Sequence, residues 1–218
     1  MTKRLYYEDS HIKEFKALVI SCKCVNDDKY EVILDKTAFF PGGGGQTPDT
    51  GTIDSARVLK VFERENFIIH LLDSPVEEGK LVKCYLDWDQ RFRRMQAHSG
   101  EHVISGIVHS LFGAENVGFH MGEDGVTVDF GKYVSPEDLR RVEINANCIV
   151  MEDRCVRSLF PSIEELSSIS YRSKREISGQ VRLIEIEGCD VCACCAPHVK
   201  RTGEIGIIRI LESIRRKG

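Results

Sequence analysis

The sequence has no run of about 18 apolar residues, the length that a membrane-spanning helix needs. Its start, MTKRLYYEDSHIKEF, is polar and charged and lacks the apolar segment of a secretory signal. These two absences predict a cytoplasmic protein with no membrane partner. Internal repeats and low-complexity linkers are also absent, and the 218 residues allow one large domain or two small ones. Nothing in the sequence indicates an oligomeric state.

An excess of positive charge is missing too. The formal net charge is -4, which argues against a protein that coats nucleic acid through a general electrostatic field. Local basic clusters remain; each is typical of a solvated surface when taken alone, and several beside one cleft would indicate an RNA contact. These clusters are Arg91, Arg93 and Arg94; Arg172, Lys174 and Arg175; Lys200 and Arg201; and Arg215, Arg216 and Lys217.

The cysteines do not form the pattern of a disulfide framework. Nine are present, an odd number, and no export signal accompanies them. In a reducing compartment such cysteines are more often metal ligands, reactive thiols or buried fillers. Five of them stand singly or in apolar surroundings. The other four are crowded near the C-terminal end: Cys189, Cys192, Cys194 and Cys195.

Residues 1–88 are rich in short runs of β-branched and aromatic residues that are divided by turn residues. This pattern predicts a β-rich domain. Between two of the runs lies PGGGGQTPDTG, residues 41–51, which is too rich in glycine for the interior of a strand or a helix.

The pattern changes near Asp87, where apolar residues begin to recur at helical spacing and predict a long helix over 87–113. A second long helix is predicted from Ser135, an N-cap residue followed by proline and by a capping acid. The remaining predicted elements are a hairpin over 119–130, a short third helix over 162–169, a strand at 181–188, a loop at 192–198 and a final strand at 203–213. The sequence therefore predicts an α+β fold in two domains, a β-rich domain over 1–88 and an α+β domain over 89–218.

Two pairs of potential metal ligands stand about 90 residues apart. His98 and His102 are four residues apart on the long helix, a spacing that places both imidazoles on one face. Cys194 and His198 have the same spacing, but in a loop that follows a strand. One thiolate and three imidazoles make a tetrahedral zinc set. The two pairs together therefore predict a Zn²⁺ site that neither would predict alone.

Two other zinc sites fit parts of the same sequence. HSGEH matches the H-x-x-E-H pattern of inverted zinc proteases, with Glu101 as general base and Glu176 as a third ligand. That alternative leaves Cys194 and His198 without a role. The crowded cysteines also allow an all-cysteine structural site, although their C-x-x-C-x-C-C spacing from Cys189 lacks the separated pairs of a zinc ribbon.

Three stretches occur in a specific order: TAFFPGGGGQTPDTG at 37–51, HSGEH at 98–102 and CCAPHVKRTGEIG at 194–206. Together they resemble the editing domain of alanyl-tRNA synthetases and its free-standing AlaX-type relatives. The resemblance covers nearly the whole chain, and the chain is similar in length to the medium form of these relatives. It implies an N-terminal glycine-motif β-barrel and an α+β editing core, whose long zinc-bearing helix packs on a mixed or antiparallel sheet. It also implies hydrolysis of Ser-tRNA(Ala), and in some members Gly-tRNA(Ala), at the aminoacyl ester.

The resemblance further implies which residues form the site. Positions that match the family's zinc ligands are His98, His102, Cys194 and His198. Positions that match the segment reaching over the active site, where serine is distinguished from alanine, are Thr37, Gly42, Gly43, Gly44, Gly45 and Gln46. The implied partner is the acceptor end of tRNA(Ala) carrying serine or glycine.

The chain departs from the family pattern beside its ligands. The second motif commonly reads C-G-G-T-H, whereas here Cys194 and His198 enclose Cys-Ala-Pro. The ligand spacing is kept, but the preference between serine and glycine stays open because these neighbours shape the pocket. Glu101, beside His102, is a candidate base or hydrogen-bond partner. Since four protein ligands also resemble a closed structural site, a tRNA-binding module without turnover is the alternative of a different class.

Overall fold

The computed structural model describes residues 1–26, 28–122, 125–173 and 179–215. The chain divides into two compact units, Met1–Arg94 and Met95–Gly218. Both combine helices with mainly antiparallel strands, so the mixed fold class agrees with the sequence prediction. None of the helices in the described ranges is both long and apolar enough to cross a bilayer. Some residues of the predicted basic clusters and the proposed protease ligand lie outside these ranges: Lys174, Arg175, Glu176, Arg216 and Lys217.

The first unit is a closed barrel with a short pair of strands beside it. In chain order its elements are β1 (Lys3–Arg4), α1 (Leu5–Glu8), β2 (Glu14–Asn26), β3 (Lys29–Leu34), β4 (Lys36–Thr37), β5 (Gly51–Ile53), β6 (Ala56–Arg64), β7 (Phe67–Leu72) and β8 (Leu81–Leu86). The strands of the barrel follow the order β2-β3-β7-β6-β5-β8, and every neighbouring pair whose register is resolved is antiparallel. The short strands β1 and β4 pair in parallel.

The long strand β2 closes the barrel because it pairs with two partners. Its first part pairs with β8 and its second part with β3, and a bulge between Val19 and Ser21 bends the strand where the partner changes. Alternate residues of the strands point inward, as period-two sequences require. The inward set forms one apolar core, which includes Val19, Leu34, Ile53, Val58, Ile68 and Leu72.

The second unit holds two small antiparallel sheets and most of the helical residues. Helix α2 (Trp88–Phe112) begins in the first unit and continues into this one. The later elements are β9 (Asn116–Met121), β10 (Val126–Phe130), α3 (Pro136–Met151), β11 (Val156–Leu159), α4 (Ile163–Ser168), β12 (Leu183–Ile186), β13 (Asp190–Ala193) and a 3-10 helix (Thr202–Ile205). Strands β9 and β10 form a hairpin, while β11, β12 and β13 form a three-stranded sheet in that order.

The helix starts agree with the sequence, whereas the last predicted strand does not. Ser135 caps α3 by accepting the backbone N–H of Asp138 at 3.1 Å. The strand predicted over 203–213 is wrong: a 3-10 helix opens the segment, and the described residues after it join no sheet. The side chain of Asn147 on α3 replaces a strand partner, since it accepts from the N–H of Ile208 at 3.0 Å and donates to its carbonyl at 2.8 Å.

Candidate metal centre

The four predicted ligands of the second unit lie together in the structure. His98 and His102 lie one turn apart on α2, and Cys194 and His198 lie in the segment that follows β13. One donor atom from each of the four side chains lies within 4.8 Å of the others. The three histidines are at most 3% exposed, and Cys194 is partly buried. A helix face and a strand end thus bring two distant pairs of ligands to one point.

The distances within this group fit a tetrahedral zinc ion. With Zn–S of about 2.3 Å and Zn–N of about 2.05 Å, tetrahedral geometry places a sulfur and a nitrogen about 3.6 Å apart. Cys194 Sγ lies 3.7 Å from His98 Nε2 and 3.4 Å from His198 Nε2. The donor set therefore has the chemistry and the spacing that zinc requires.

His102 has a carboxylate partner that the sequence analysis did not identify. Its Nδ1 lies 3.2 Å from Asp190 Oδ2, and Asp190 in turn forms a two-pronged ion pair with Arg172, with N–O distances of 2.7 and 2.8 Å. Asp190 opens β13, four residues before Cys194. The period-two alternation of a strand could have indicated that Asp190, Cys192 and Cys194 share one face.

His198 has an outer partner as well. Its Nδ1 lies 3.0 Å from Ser99 Oγ, and Ser99 also accepts the backbone N–H of Val199 at 3.2 Å. Ser99 lies on α2 immediately after His98, so the helix that supplies two ligands also orients a third. With Nδ1 directed at Ser99, Nε2 of His198 is directed at the sulfur.

Glu101 is buried beside the four ligands, with a side chain only 1% exposed. Its Oε1 accepts from Ser105 Oγ at 2.6 Å and from the amide of Asn116. Its Oε2 lies 4.0 Å from His98 Nε2. The position follows from the helix, since residues three apart are neighbours on one face.

The residues of this group shift one another's pKa values. Burial by itself lowers the pKa of His102, but hydrogen bonds to Asp190 and Cys194 raise it well above its usual value. Burial raises the pKa of the Cys194 thiol, yet the neighbouring His98 and His198 hold it well below its usual value. Burial, then the charges of His102 and His98, lower the pKa of His198 to about 3. The surroundings therefore favour a thiolate at Cys194 and a neutral imidazole at His198, which are the forms that bind metals.

The described residues give less support to the two alternative metal sites, the all-cysteine site and the protease site. The potential ligand groups there contain Cys194 without the other three crowded cysteines. Cys192 belongs to a second group, with His102 and Asp190, whereas Cys195 is exposed. For the protease alternative, the proposed third ligand Glu176 lies outside the described residues.

Thr37 lies in the first unit and is fully buried. His70 Nδ1 lies 3.1 Å from the carbonyl oxygen of Val32, which only accepts, so Nδ1 carries the proton and Nε2 is an acceptor. Thr37 Oγ1 lies 2.9 Å from that Nε2 and therefore donates its hydrogen to it. The same oxygen accepts the N–H of Phe39 at 3.1 Å. The hydroxyl has no second hydrogen, so it can offer a ligand only an acceptor.

The glycine stretch of the first unit forms a tight turn. Gly43 and Gln46 exchange two backbone hydrogen bonds of 3.0 Å, which encloses Gly44 and Gly45 in a two-residue hairpin loop. All four glycines from Gly42 to Gly45 have φ between 60° and 137°, a region that other residues rarely adopt. Gln46 is 3% exposed, whereas the tip of the turn is exposed.

Comparison with known proteins relates both units to tRNA synthetases. Residues 2–90 match the family described as tRNA synthetases class II (A). Residues 181–218 match the family described as threonyl and alanyl tRNA synthetase second additional domain. These two stretches include the glycine turn and two of the four potential ligands.

Individual relatives match almost the whole chain. Alanyl-tRNA editing protein AlaX-M of Methanosarcina acetivorans is 36% identical over 100% of this chain and 95% of its own length. AlaX-L of Pyrococcus horikoshii is 31% identical over 97% of this chain and 54% of its own length. Alanine–tRNA ligase of Ignicoccus hospitalis is 36% identical over 97% of this chain, which spans only 24% of the ligase.

Proposed function

Because the chain belongs to the AlaX-type family of alanyl-tRNA editing proteins, we propose that it hydrolyses the ester between a wrongly attached amino acid and tRNA(Ala). The observation that carries this proposal is the buried group of three imidazoles and one thiol, whose donor atoms lie within 4.8 Å of one another. The proposed substrates are acceptor ends that carry serine or glycine. The four motif positions and the matches to editing proteins support the same activity.

Zinc is the proposed cofactor, held by His98, His102, Cys194 and His198. When bound, zinc supplies a Lewis acid that can polarise a carbonyl and lower the pKa of a bound water. The chain's own contribution is to hold Cys194 and His198 in the forms that bind a metal. Ser99 directs the Nε2 of His198 to the sulfur, and the low pKa of the Cys194 thiol supplies a negative ligand.

Glu101 is the proposed proton acceptor for the attacking water. Its Oε1 is fixed by Ser105 and Asn116, so the carboxylate is held in one orientation. Its Oε2 lies 4.0 Å from His98 Nε2, at the edge of the ligand group. General-base catalysis uses a side chain that is positioned within hydrogen-bond reach of the proton it takes, directly or through one water, and the fixed carboxylate is such a group.

Thr37 and the segment Gly42–Gln46 are proposed to bind the aminoacyl end. A hydroxyl whose hydrogen is already given to His70 can accept a hydrogen from the side chain of serine, which alanine lacks. A site that pairs with a substrate hydroxyl discriminates strongly against the analogue without it. The backbone of the glycine turn, which has no side chains at Gly42–Gly45, allows close approach by the ribose or the ester.

The first experiment compares deacylation of Ser-tRNA(Ala), Gly-tRNA(Ala) and Ala-tRNA(Ala) by zinc-loaded protein. We expect loss of serine or glycine but not of alanine, and loss of that activity in Cys194→Ala. Cys148→Ala is the matched control, because Cys148 is an exposed cysteine of α3 outside the ligand group. If the zinc-loaded wild type deacylates none of the three, the hydrolase proposal fails. Binding of tRNA(Ala) without turnover would then support the alternative, a structural-zinc binding module.

The role of Thr37 is tested in the same assay with Thr37→Val, which keeps the shape and removes the acceptor. Direct recognition of the serine hydroxyl predicts a selective loss of activity on Ser-tRNA(Ala), with activity on Gly-tRNA(Ala) retained. An equal loss on both substrates would assign Thr37 to support of the barrel instead, since glycine has no hydroxyl to recognise.

A further inference from the structure

Asp190 stands between a metal ligand and a buried cation. Its Oδ2 lies 3.2 Å from His102 Nδ1 and 2.8 Å from Arg172 Nη2, while its Oδ1 lies 2.7 Å from Arg172 Nε. All three residues are at most 8% exposed. A carboxylate in such a place is held by two neighbours at once and has little freedom to rotate.

Backbone hydrogen bonds hold Arg172, the cation of this group, against β13. The N–H of Arg172 donates to the carbonyl of Val191 at 2.8 Å, and the N–H of Ala193 donates to the carbonyl of Arg172 at 2.9 Å. Arg172 is thus joined to β13 as an isolated parallel bridge beside Cys192. Its guanidinium therefore meets Asp190 on the strand that leads to the ligand Cys194.

Helix α2 approaches this strand closely at a glycine. Gly106 lies one turn after His102, and a Cβ added there would lie 2.8 Å from both Asp190 Cβ and the carbonyl oxygen of Cys189. Any side chain at this position would push the strand away. The absence of a side chain at Gly106 is what lets Asp190 reach the imidazole on the same face of the helix.

We propose that Asp190, oriented by Arg172, is a positioning residue that fixes His102 with its proton on Nδ1 and so makes Nε2 the metal-binding nitrogen. Because a carboxylate oxygen can only accept, its position 3.2 Å from Nδ1 favours the tautomer with the hydrogen on Nδ1. Nε2 is then the nitrogen left for the metal, and His102 brings a ring nitrogen within 4.8 Å of the donor atoms of His98, Cys194 and His198. This inference rests on the proposed zinc site and adds three residues to it: Gly106, Arg172 and Asp190.

The geometry requires a side chain at position 190 that accepts hydrogen bonds at both of its terminal atoms. Asn has the shape of Asp, but where Asp has two accepting oxygens Asn has one oxygen and one donating NH₂ group. If its amide NH₂ takes the place of Oδ2, it faces both His102 Nδ1 and the donor Nη2 of Arg172, and the imidazole must accept at Nδ1 and carry its proton on Nε2, which blocks the metal. If the NH₂ takes the place of Oδ1, it meets the donor Nε of Arg172. Both orientations work against the arrangement that zinc needs.

The test measures zinc affinity by competition with a chromogenic chelator, and activity plays no part in it. Asp190→Asn should bind zinc 10- to 100-fold more weakly than the wild type, the usual effect of losing an outer partner of a ligand. Gly106→Ala should weaken zinc binding in the same direction. Asp153→Asn is the matched control, since Asp153 pairs with Arg201 in the same unit but both are exposed. That control should bind zinc as the wild type does.

Two further measurements keep the test decisive. Because Asp190→Asn alone leaves a buried guanidinium without its carboxylate, the double variant Arg172→Gln with Asp190→Asn removes both charges, and circular dichroism checks its fold. In the zinc-loaded wild type, ¹⁵N NMR of His102 should show a protonated Nδ1 and a metal-bound Nε2. Wild-type zinc affinity in a folded double variant, or binding through Nδ1, would overturn the inference. Failure of the wild type to bind zinc would instead overturn the proposed site.

Discussion

His70 is fully buried in the barrel, and its two hydrogen bonds require a neutral imidazole. Nδ1 donates to Val32 and Nε2 accepts from Thr37, so a proton on Nε2 would remove the acceptor that holds the threonine. Burial lowers the pKa of His70 to about 4, and the hydrogen bond to Val32 opposes this only in part. The residue therefore connects proton binding to the stability of the strand that carries Thr37.

The first prediction concerns the pH dependence of barrel stability. With a pKa of 6.5 unfolded and about 4 folded, His70 binds a proton in the unfolded chain before it does in the native one. Its contribution is complete above pH about 6.5 and is lost as the pH falls towards 4, by up to about 3 kcal/mol. Urea unfolding at pH 7 and at pH 4.5 measures it, with His70→Gln as the comparison. Gln retains one donor and one acceptor but does not titrate. An equal loss of stability in both proteins would contradict this role.

At this scale the sequence predicts ligands better than it predicts their partners. His98, His102, Cys194 and His198 could be found because a shared spacing relates the members of each pair. Strand alternation could have placed Asp190 on the face of Cys194, but it could not show the contact with His102, which joins residues 88 apart in the chain. Partners of this kind are set by how a helix and a strand approach each other.

At the scale of elements, one buried ion pair holds both ends of the glycine loop. Asp49 closes the loop onto Phe40, because its N–H donates to the Phe40 carbonyl at 2.9 Å and its carboxylate accepts the Phe40 N–H at 2.7 Å. Arg91, in the first turn of α2, donates from Nε to that carboxylate at 3.0 Å and from Nη2 to the carbonyl of Ala38. Both charged side chains are 1% exposed. The loop is thus fixed at its base while its tip is a glycine turn.

The second prediction is that removing one member of this pair strongly destabilises the first unit. Asp49→Ala leaves the guanidinium of Arg91 buried and uncompensated, which typically costs about 3–5 kcal/mol. Denaturant unfolding followed by the fluorescence of Trp88 measures the loss. Glu77→Gln is the control, since Glu77 pairs with Lys80 at 65% and 62% exposure and should unfold close to the wild-type midpoint. A small effect of Asp49→Ala would contradict the anchoring role of the pair.

The sequence predicts elements well where one face is buried and poorly where side chains replace a sheet partner. The runs that became β2, β3, β6, β7 and β8 alternate inward and outward residues, as barrel strands must. The segment 203–213 has the composition of a strand, but composition does not supply a neighbouring strand. Its backbone bonds to Asn147 of a helix instead, a contact that no local pattern indicates.

At the scale of the whole molecule, the barrel core and the metal ligands belong to different units. The apolar core cluster lies within the first unit, whereas all four ligands lie in the second. The chain spans 95% of a free-standing editing protein but only 24% of a ligase that it resembles equally well. The same pair of units therefore occurs both as a separate chain and as part of a larger one.

The third prediction follows from this division. A metal that binds only the folded second unit stabilises that unit by mass action, by about 4 kcal/mol when free zinc is 1,000 times its dissociation constant. The single tryptophan, Trp88, lies in the first unit, where it stacks on Phe92. Removing zinc with a chelator should lower the midpoint of thermal unfolding measured by circular dichroism by roughly 10 °C. The midpoint measured by tryptophan fluorescence should change much less. Adding zinc back should restore the circular dichroism midpoint. If the tryptophan signal shifts as far as the circular dichroism signal, the two units unfold together and the metal stabilises both.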